Sequence, residues 1–521
     1  MTQQDRGLMP QFAFQAMALA LLLVLPGALR AQGAICPEAR AGEVTLDGIR
    51  FEGAPSGYLS AEVLAGLSQQ VRACPLGRTD PALLAQAVNA LYDQVPAPLA
   101  LAQPLGVEGK TAVIRLVEVR YGAIRVTGND TTRDDYVIAR SGARSGGLSD
   151  LGELDRRLST FPEIEDIRVD AALDPGAAVG TSDLTLQVTE PPRLGGAIAV
   201  DNYGSPPAGE TRVTGSVVIR SLTGRRDPLS FGVTHAEGLR VANVAYATPV
   251  GANGARLSGF YSRESSTIVN GGPDLNGITS TTHSAGLTFD AVPLRADESG
   301  VSIFSMGLSA TDDENTLDGV RLLDQEGAEI TLSYRGLKRI PGRAVLAVDA
   351  ALSFGRYRDG LLEEYRGYTR ATLGLSAITR LGARATLSST LSAQLSSDTL
   401  PAARRLSVAG PSGVRGYEPA FAQGSGDSGY ALRTEVAMSE ALSTGRIAHY
   451  PYAFFDLGRS RLHETGSGDL LAGAGFGLRS TWQIREDRAL NSDLWVAQPL
   501  RDAGGAGTDD VFVGLTVGMS F

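Results

Sequence analysis

The residues of this chain offer little for bond-making chemistry, and what they do offer is a matter of charge. Its lysines are Lys110 and Lys338; neither follows a G-x-x-x-x-G run, so no loop is built to cradle a nucleotide phosphate. The 4 histidines are scattered, the 2 cysteines are Cys36 and Cys74, and neither type recurs at metal-ligand spacing. No G-x-S-x-G elbow presents a serine nucleophile. Two carboxylate clusters, Asp134–Asp135 and Glu163–Glu165–Asp166, sit at helix starts and at a loop edge, where they read as solvated faces rather than acid–base pairs. No catalytic, cofactor-binding or metal-binding residue is expected. One arginine is set apart by its surroundings. The stretch "GPSGVRGYEP" at 410–419 holds Arg415 among Gly410, Gly413, Gly416, Pro411 and Pro419, a composition that makes a tight, shaped loop. From such a loop a planar guanidinium can grip a carboxylate by two hydrogen bonds, fixing direction as well as distance. Taken alone, the segment reads better as a solvated arginine in a glycine-rich surface turn.

The elements that would carry this loop are strands. From residue 193 to Phe521 the pattern is apolar alternating with small or polar, in sixteen segments whose first begins near Arg193 and last near Asp510. Short turns such as "TGRRD", "TPVGAN" and "RLGA" alternate with long polar connections at 263–277, 312–325, 354–366 and 397–427. An even number of strands of about ten residues, with short turns at one end and long loops at the other, predicts an outer-membrane β-barrel, closed because every backbone donor in a membrane must be paired. A soluble sandwich would not need such asymmetric loops. Arg415 falls in the longest loop, between the eleventh and twelfth strands. In "YALRTEVAMSE", Tyr430, Leu432, Val436 and Met438 share an apolar face, and Arg433 and Glu435 lie on the other. In the thirteenth strand Tyr450, Tyr452, Phe454 and Asp456 share a face; turning Asp456 to lipid would cost roughly a few kcal/mol, so the lumen is its side. The last strand directs Val511, Val513, Leu515, Val517, Met519 and Phe521 outward.

The N-terminal third differs in character. Residues 1–31, with Arg6, the apolar core "AMALALLLVLPGAL" and Ala31 at the cleavage point, predict a signal peptide, an N-terminal anchor being the alternative. Export to an oxidising compartment makes a Cys36–Cys74 disulfide plausible, with two separate thiols left open. The formal charge of −10 argues against a nucleic-acid partner. Residues 43–190 repeat the order strand, helix, helix, strand, strand: "EVTLDGIRFEG" opens one copy (43–119), in which Asp80 is placed to cap the second helix, and "YGAIRVTGN" opens the other (120–190).

This repeat resembles the POTRA domain, a polypeptide-binding module, with "IRVTGNDTT" the better match to its entry. The motif "VRGY" (Val414, Arg415, Gly416, Tyr417) resembles the inward-folded loop of polypeptide-transporting barrels, and "FFDLG" fits their companion strand motif F-x-D-x-G (Phe454, Asp456, Gly458). That resemblance implies that Arg415 reaches into the lumen and pairs with Asp456. The terminal Phe521 resembles the barrel signal of bacterial outer-membrane proteins, which implies the barrel-assembly machinery as a partner during biogenesis. The whole layout, two small α+β domains and a barrel over 193–521, is similar to the two-partner secretion transporters, also called hemolysin secretion/activation proteins. It implies an ATP-free translocator in outer-membrane lipid, with POTRA domains in the periplasm and a secreted exoprotein as client. An assembly factor of the same superfamily is the rival reading. About a dozen residues separate Ala31 from the strand near Val44, leaving no room for the plug helix that many members carry.

Overall fold

The protein is described by a computed structural model over residues 46–53, 56–72, 80–95, 99–272, 275–419, 424–485, 488–501 and 511–521. The expected signal peptide (1–31), Cys36 and Cys74 lie outside the described residues. The described chain divides into two compact units, one running to Arg120 with Leu148–Leu151, the other comprising Tyr121–Gly147 and Gly152–Phe521.

In the first unit a sheet is ordered Gly48–Glu52, Thr111–Glu118, Ala100–Glu108, with the central strand parallel to the first and antiparallel to the last. Helices Ala61–Arg72 and Pro81–Tyr92 cover it. Asp80 caps the second helix by accepting from the Ala82 amide at 2.9 Å, and Pro81 fills the first helical position, where no amide hydrogen is needed. Val71, Leu84, Val88, Tyr92 and Ile114 close the core.

The second unit begins with a sheet ordered Arg120–Thr127, Thr181–Thr189, Arg168–Pro175. Tyr136 and Val137 from helix Asp134–Ser141 and Leu158 from helix Leu151–Leu158 are buried, as are Leu184 and Leu186 of the central strand. One expectation fails here. Asp134 and Asp135 are exposed at their helix start, as is Asp166, 55% exposed, but Glu163 and Glu165 are not a solvated face. The Glu165 side chain is 0% exposed, 3.3 Å from Arg140 and 3.2 Å from Arg256. Arg339 grips Glu163 with two bonds of 2.8 and 3.1 Å. Asp166 pairs with Arg226 and, at 3.2 Å, with Arg220. The cause is docking: these carboxylates seat the α+β segment on the short-turn end of the barrel. Their main partners come from barrel positions far along the chain, beyond what local sequence can indicate.

The barrel is closed, and its strands join in sequence order until the sixteenth, Phe512–Ser520, pairs with the first, Leu194–Asp201. Among the described residues it holds sixteen antiparallel strands; Arg295–Asp297 and Leu442–Thr444 only lengthen adjoining hairpins. Side chains alternate across the wall: Phe304, Met306 and Leu308, Ile330 and Leu332, and Val513 and Leu515 are exposed on the outer face. Strand lengths depart from expectation. The seventh strand (Gly300–Leu317) and eighth (Val320–Ile340) meet in a turn at Asp318–Gly319, so the supposed loop 312–325 is hairpin. The ninth (Ala344–Asp359) and tenth (Glu364–Leu381) likewise consume most of 354–366. Beyond the apolar belt water reaches both faces of a hairpin, so polar residues continue the ladder and alternation no longer marks its end. No helix among the described residues is long and apolar enough to cross a membrane.

Candidate functional site

The long connection between the eleventh strand (Ala385–Ser396) and the twelfth (Ser428–Met438) is folded, not slack. Leu406–Ser407 pairs with Ser425–Gly426, and the Val414 amide donates to the Val408 carbonyl at 2.8 Å. Between them the chain turns at Gly410–Gly413. Val408, Ala409, Val414 and Tyr417 then pack as one apolar cluster against Ala431 of the twelfth strand and Leu471 of the fourteenth (Leu470–Arg485). Val414 is 0% exposed. The segment is thus buried against side chains of the barrel wall.

Arg415 projects from that cluster onto the thirteenth strand (Ile447–Arg461). Its Nε donates to Asp456 Oδ2 at 2.7 Å and its Nη2 to Asp456 Oδ1 at 2.9 Å, the two-pronged geometry of a guanidinium on a carboxylate. The Arg415 backbone amide adds a bond of 3.2 Å to the same Oδ2. Nη1 reaches Glu435 of the twelfth strand at 3.2 Å. The guanidinium carbon also lies over Phe454, 3.5 Å from the ring centroid. Side-chain exposure is 2% for Arg415 and 0% for Asp456, so the pair is dry.

Each residue of the two motifs has a place in this contact. Tyr417 sets its hydroxyl 2.8 Å from the Arg501 carbonyl and 3.1 Å from that of Ala472, so the loop tip also holds the fourteenth strand. Gly416 has φ +102°, a left-handed conformation that side chains disfavour, and it lies against the backbone of Gln498 and Pro499. At Gly458 a Cβ would stand 2.8 Å from Val414 Cγ2, so glycine there makes room for the loop. Phe454 supplies the stacking face and Asp456 the charge. Elsewhere, Phe521 exchanges two backbone bonds of 2.9 Å with Gly196 and lays its ring over that glycine.

Sequence reasoning missed the wider network. Glu435 also takes Arg479 at 2.5 Å, and Arg479 lies 3.3 Å from Asp493, which accepts from the Tyr452 hydroxyl at 2.7 Å. Strand parity had put Glu435 on the polar face, but only the register, which sets it opposite Phe454, brings it to Arg415. Among the described residues there is no cluster able to hold a metal ion. The site can hold a loop against the barrel wall.

Comparison with known proteins follows the same lines. The profile of the haemolysin secretion/activation proteins ShlB/FhaC/HecB matches residues 180–480. No curated protein matches the sequence. Among solved structures, CdiB from Escherichia coli superposes with a TM-score of 0.66 at 21% identity, covering 95% of both chains. CdiB from Acinetobacter baumannii gives 0.64 at 18% identity over 94% of this chain and 91% of that one. BamA from Haemophilus ducreyi lacking POTRA domains 1–3 gives 0.52 at 14% identity, over 93% of this chain and 100% of that one. At these identities the structural likenesses speak for the fold.

Proposed function

Because the chain belongs to the haemolysin secretion/activation protein family, the two-partner secretion transporters of the outer membrane, we propose that it carries an unfolded exoprotein of haemolysin or adhesin type from periplasm to cell surface. The observation behind this reading is the two-pronged bond between Arg415 and Asp456, which on this reading fastens the loop inside the barrel. A diffusion pore gains nothing from a segment clasped within it, whereas a polypeptide conduit must stay closed between clients. The α+β units act as periplasmic POTRA domains and capture the client. Their sheets leave edges open at Ala100–Glu108 and Arg168–Pro175, where an extended chain can add through main-chain hydrogen bonds with little demand on its sequence. With no phosphate-binding loop in the chain, the drive is folding of the client outside, which disfavours return. The apolar belt sits in outer-membrane lipid, placed there by the barrel-assembly machinery.

A photo-crosslinking residue in place of Ala172, exposed on the edge strand Arg168–Pro175, tests capture directly. It should bond to the exoprotein while secretion is under way. Undiminished secretion with no crosslink at Ala172 or at Leu105 of the other edge would remove the capture role.

A further inference from the structure

The lumenal loop touches the barrel wall at a second place, remote from its arginine clasp. Arg404, in the single helical turn Ala402–Arg404, sends Nη2 to Thr311 Oγ1 at 2.9 Å and to Ser309 Oγ at 3.1 Å, both on the seventh strand. Its Nε lies 3.9 Å from Glu329 Oε2 on the eighth. Glu329 is a wall carboxylate with 3% side-chain exposure. Arg370 of the tenth strand donates to it at 2.7 Å and the Tyr368 hydroxyl at 2.9 Å. The backbone is fastened as well: Gln394 Nε2 donates to the Arg404 carbonyl at 3.0 Å and to the Asp427 carbonyl at 3.1 Å. Leu400, 1% exposed, packs with Tyr357 and Tyr368.

We propose that Arg404 and Glu329 form a second, separable anchor, which positions the root of the loop as Arg415 and Asp456 position its tip. The two anchors engage different walls. The root is tied to strands seven to eleven, the tip to strands twelve to fourteen, so the loop bridges the lumen instead of hanging from one side. They also differ in strength. The tip pair is dry and two-pronged, while Arg404 retains 24% exposure and stands farther from its carboxylate. A contact of that kind is screened and weak. Opening of the conduit therefore begins at the root, and full withdrawal of the loop requires the tip to let go as well.

Single-channel conductance of the full chain in planar bilayers tests this without any client, so its failure would leave the transport reading standing. Arg404→Ala should make large openings about two- to fivefold more frequent, and Arg404→Lys, which keeps the charge, should recover part of the closure. Glu329→Gln, close to isosteric, should resemble Arg404→Ala; heat-modifiable migration on a gel verifies that each barrel is folded. Because the anchors are separate, Arg404→Ala combined with Arg415→Ala should multiply the two single effects. Wild-type opening frequency in both folded Arg404→Ala and Glu329→Gln would overturn the proposal. So would a double variant no more open than Arg415→Ala alone.

Discussion

At Arg415 the energetics follow from dryness. In a wet lumen an ion pair would be worth about 1 kcal/mol or less, but exposures of 2% and 0% put this one with buried pairs, where removing one partner costs about 3–5 kcal/mol because the other charge is stranded. Arg415→Ala and Asp456→Ala should each cripple secretion to a similar degree. The double variant should be little worse than either, since both remove the same interaction. Arg415→Lys should restore only part of the transport, because an ammonium cannot bond both oxygens of Asp456 and stack on Phe454 as a guanidinium does. Secreted client, measured against folded barrel, decides the matter; additive losses would mean that the two residues act separately. This much was legible because a glycine-rich loop, an inward aspartate and their motifs are local features. Glu435, Arg404 and Glu329 were not, because each finds its partner only through the register of strands far apart in sequence.

At the level of elements, the seat of the α+β segment on the barrel turns carboxylates into fasteners. Glu190, at the exit of that segment, accepts from the Thr132 hydroxyl at 2.6 Å, the Thr131 amide at 2.7 Å and the Thr131 hydroxyl at 2.8 Å, and lies 3.3 Å from Arg226. Burial works to raise its pKa, but the hydrogen bonds from Thr132, Thr131 and Asp130 outweigh it and bring it down to about 2. A carboxylate held below its unfolded value of about 4.3 stabilises fully above that value and progressively less as pH falls toward the folded one. The hold of Glu190 on residues 130–132 should therefore loosen between about pH 4.3 and 2, seen as faster proteolysis within the α+β segment beside an intact barrel. Glu190→Gln should flatten that dependence; an unchanged profile in the variant would assign it to other groups. The sequence showed these helices and strands through their periodicity, yet it misread Glu163 and Glu165. A carboxylate on a loop edge looks the same whether water or a distant arginine faces it.

For the molecule as a whole, the alternation of side chains and the even number of strands made the barrel readable, since a closed sheet is what such a pattern can satisfy. The extent of the hairpins beyond the belt was not readable, because polar residues on both faces carry no period. Closure depends on the seam between the first and sixteenth strands, where Phe521 lies over Gly196. Phe521→Ala should lower the yield of heat-modifiable, folded barrel; an undiminished yield would mean that the ring has no part in assembly. That seam pairs Thr516 with Asp201 through to Ser520 with Ala197, is extended by the two backbone bonds between Phe521 and Gly196, and is continued at its other end by the Asn202 side chain, with bonds of 2.7 and 2.8 Å to Val513 and Leu515. Its partners are separated by as many as 325 positions, from Gly196 to Phe521, whereas every other neighbouring pair of strands is joined by a hairpin or by one loop. By loop-closure entropy the seam costs about 3 kcal/mol more to bring together than a turn of about a dozen residues. Folding thus has a built-in order of events: hairpins zip one after another at little cost, and the ring stays an open curved sheet until this one slow, non-local encounter completes it.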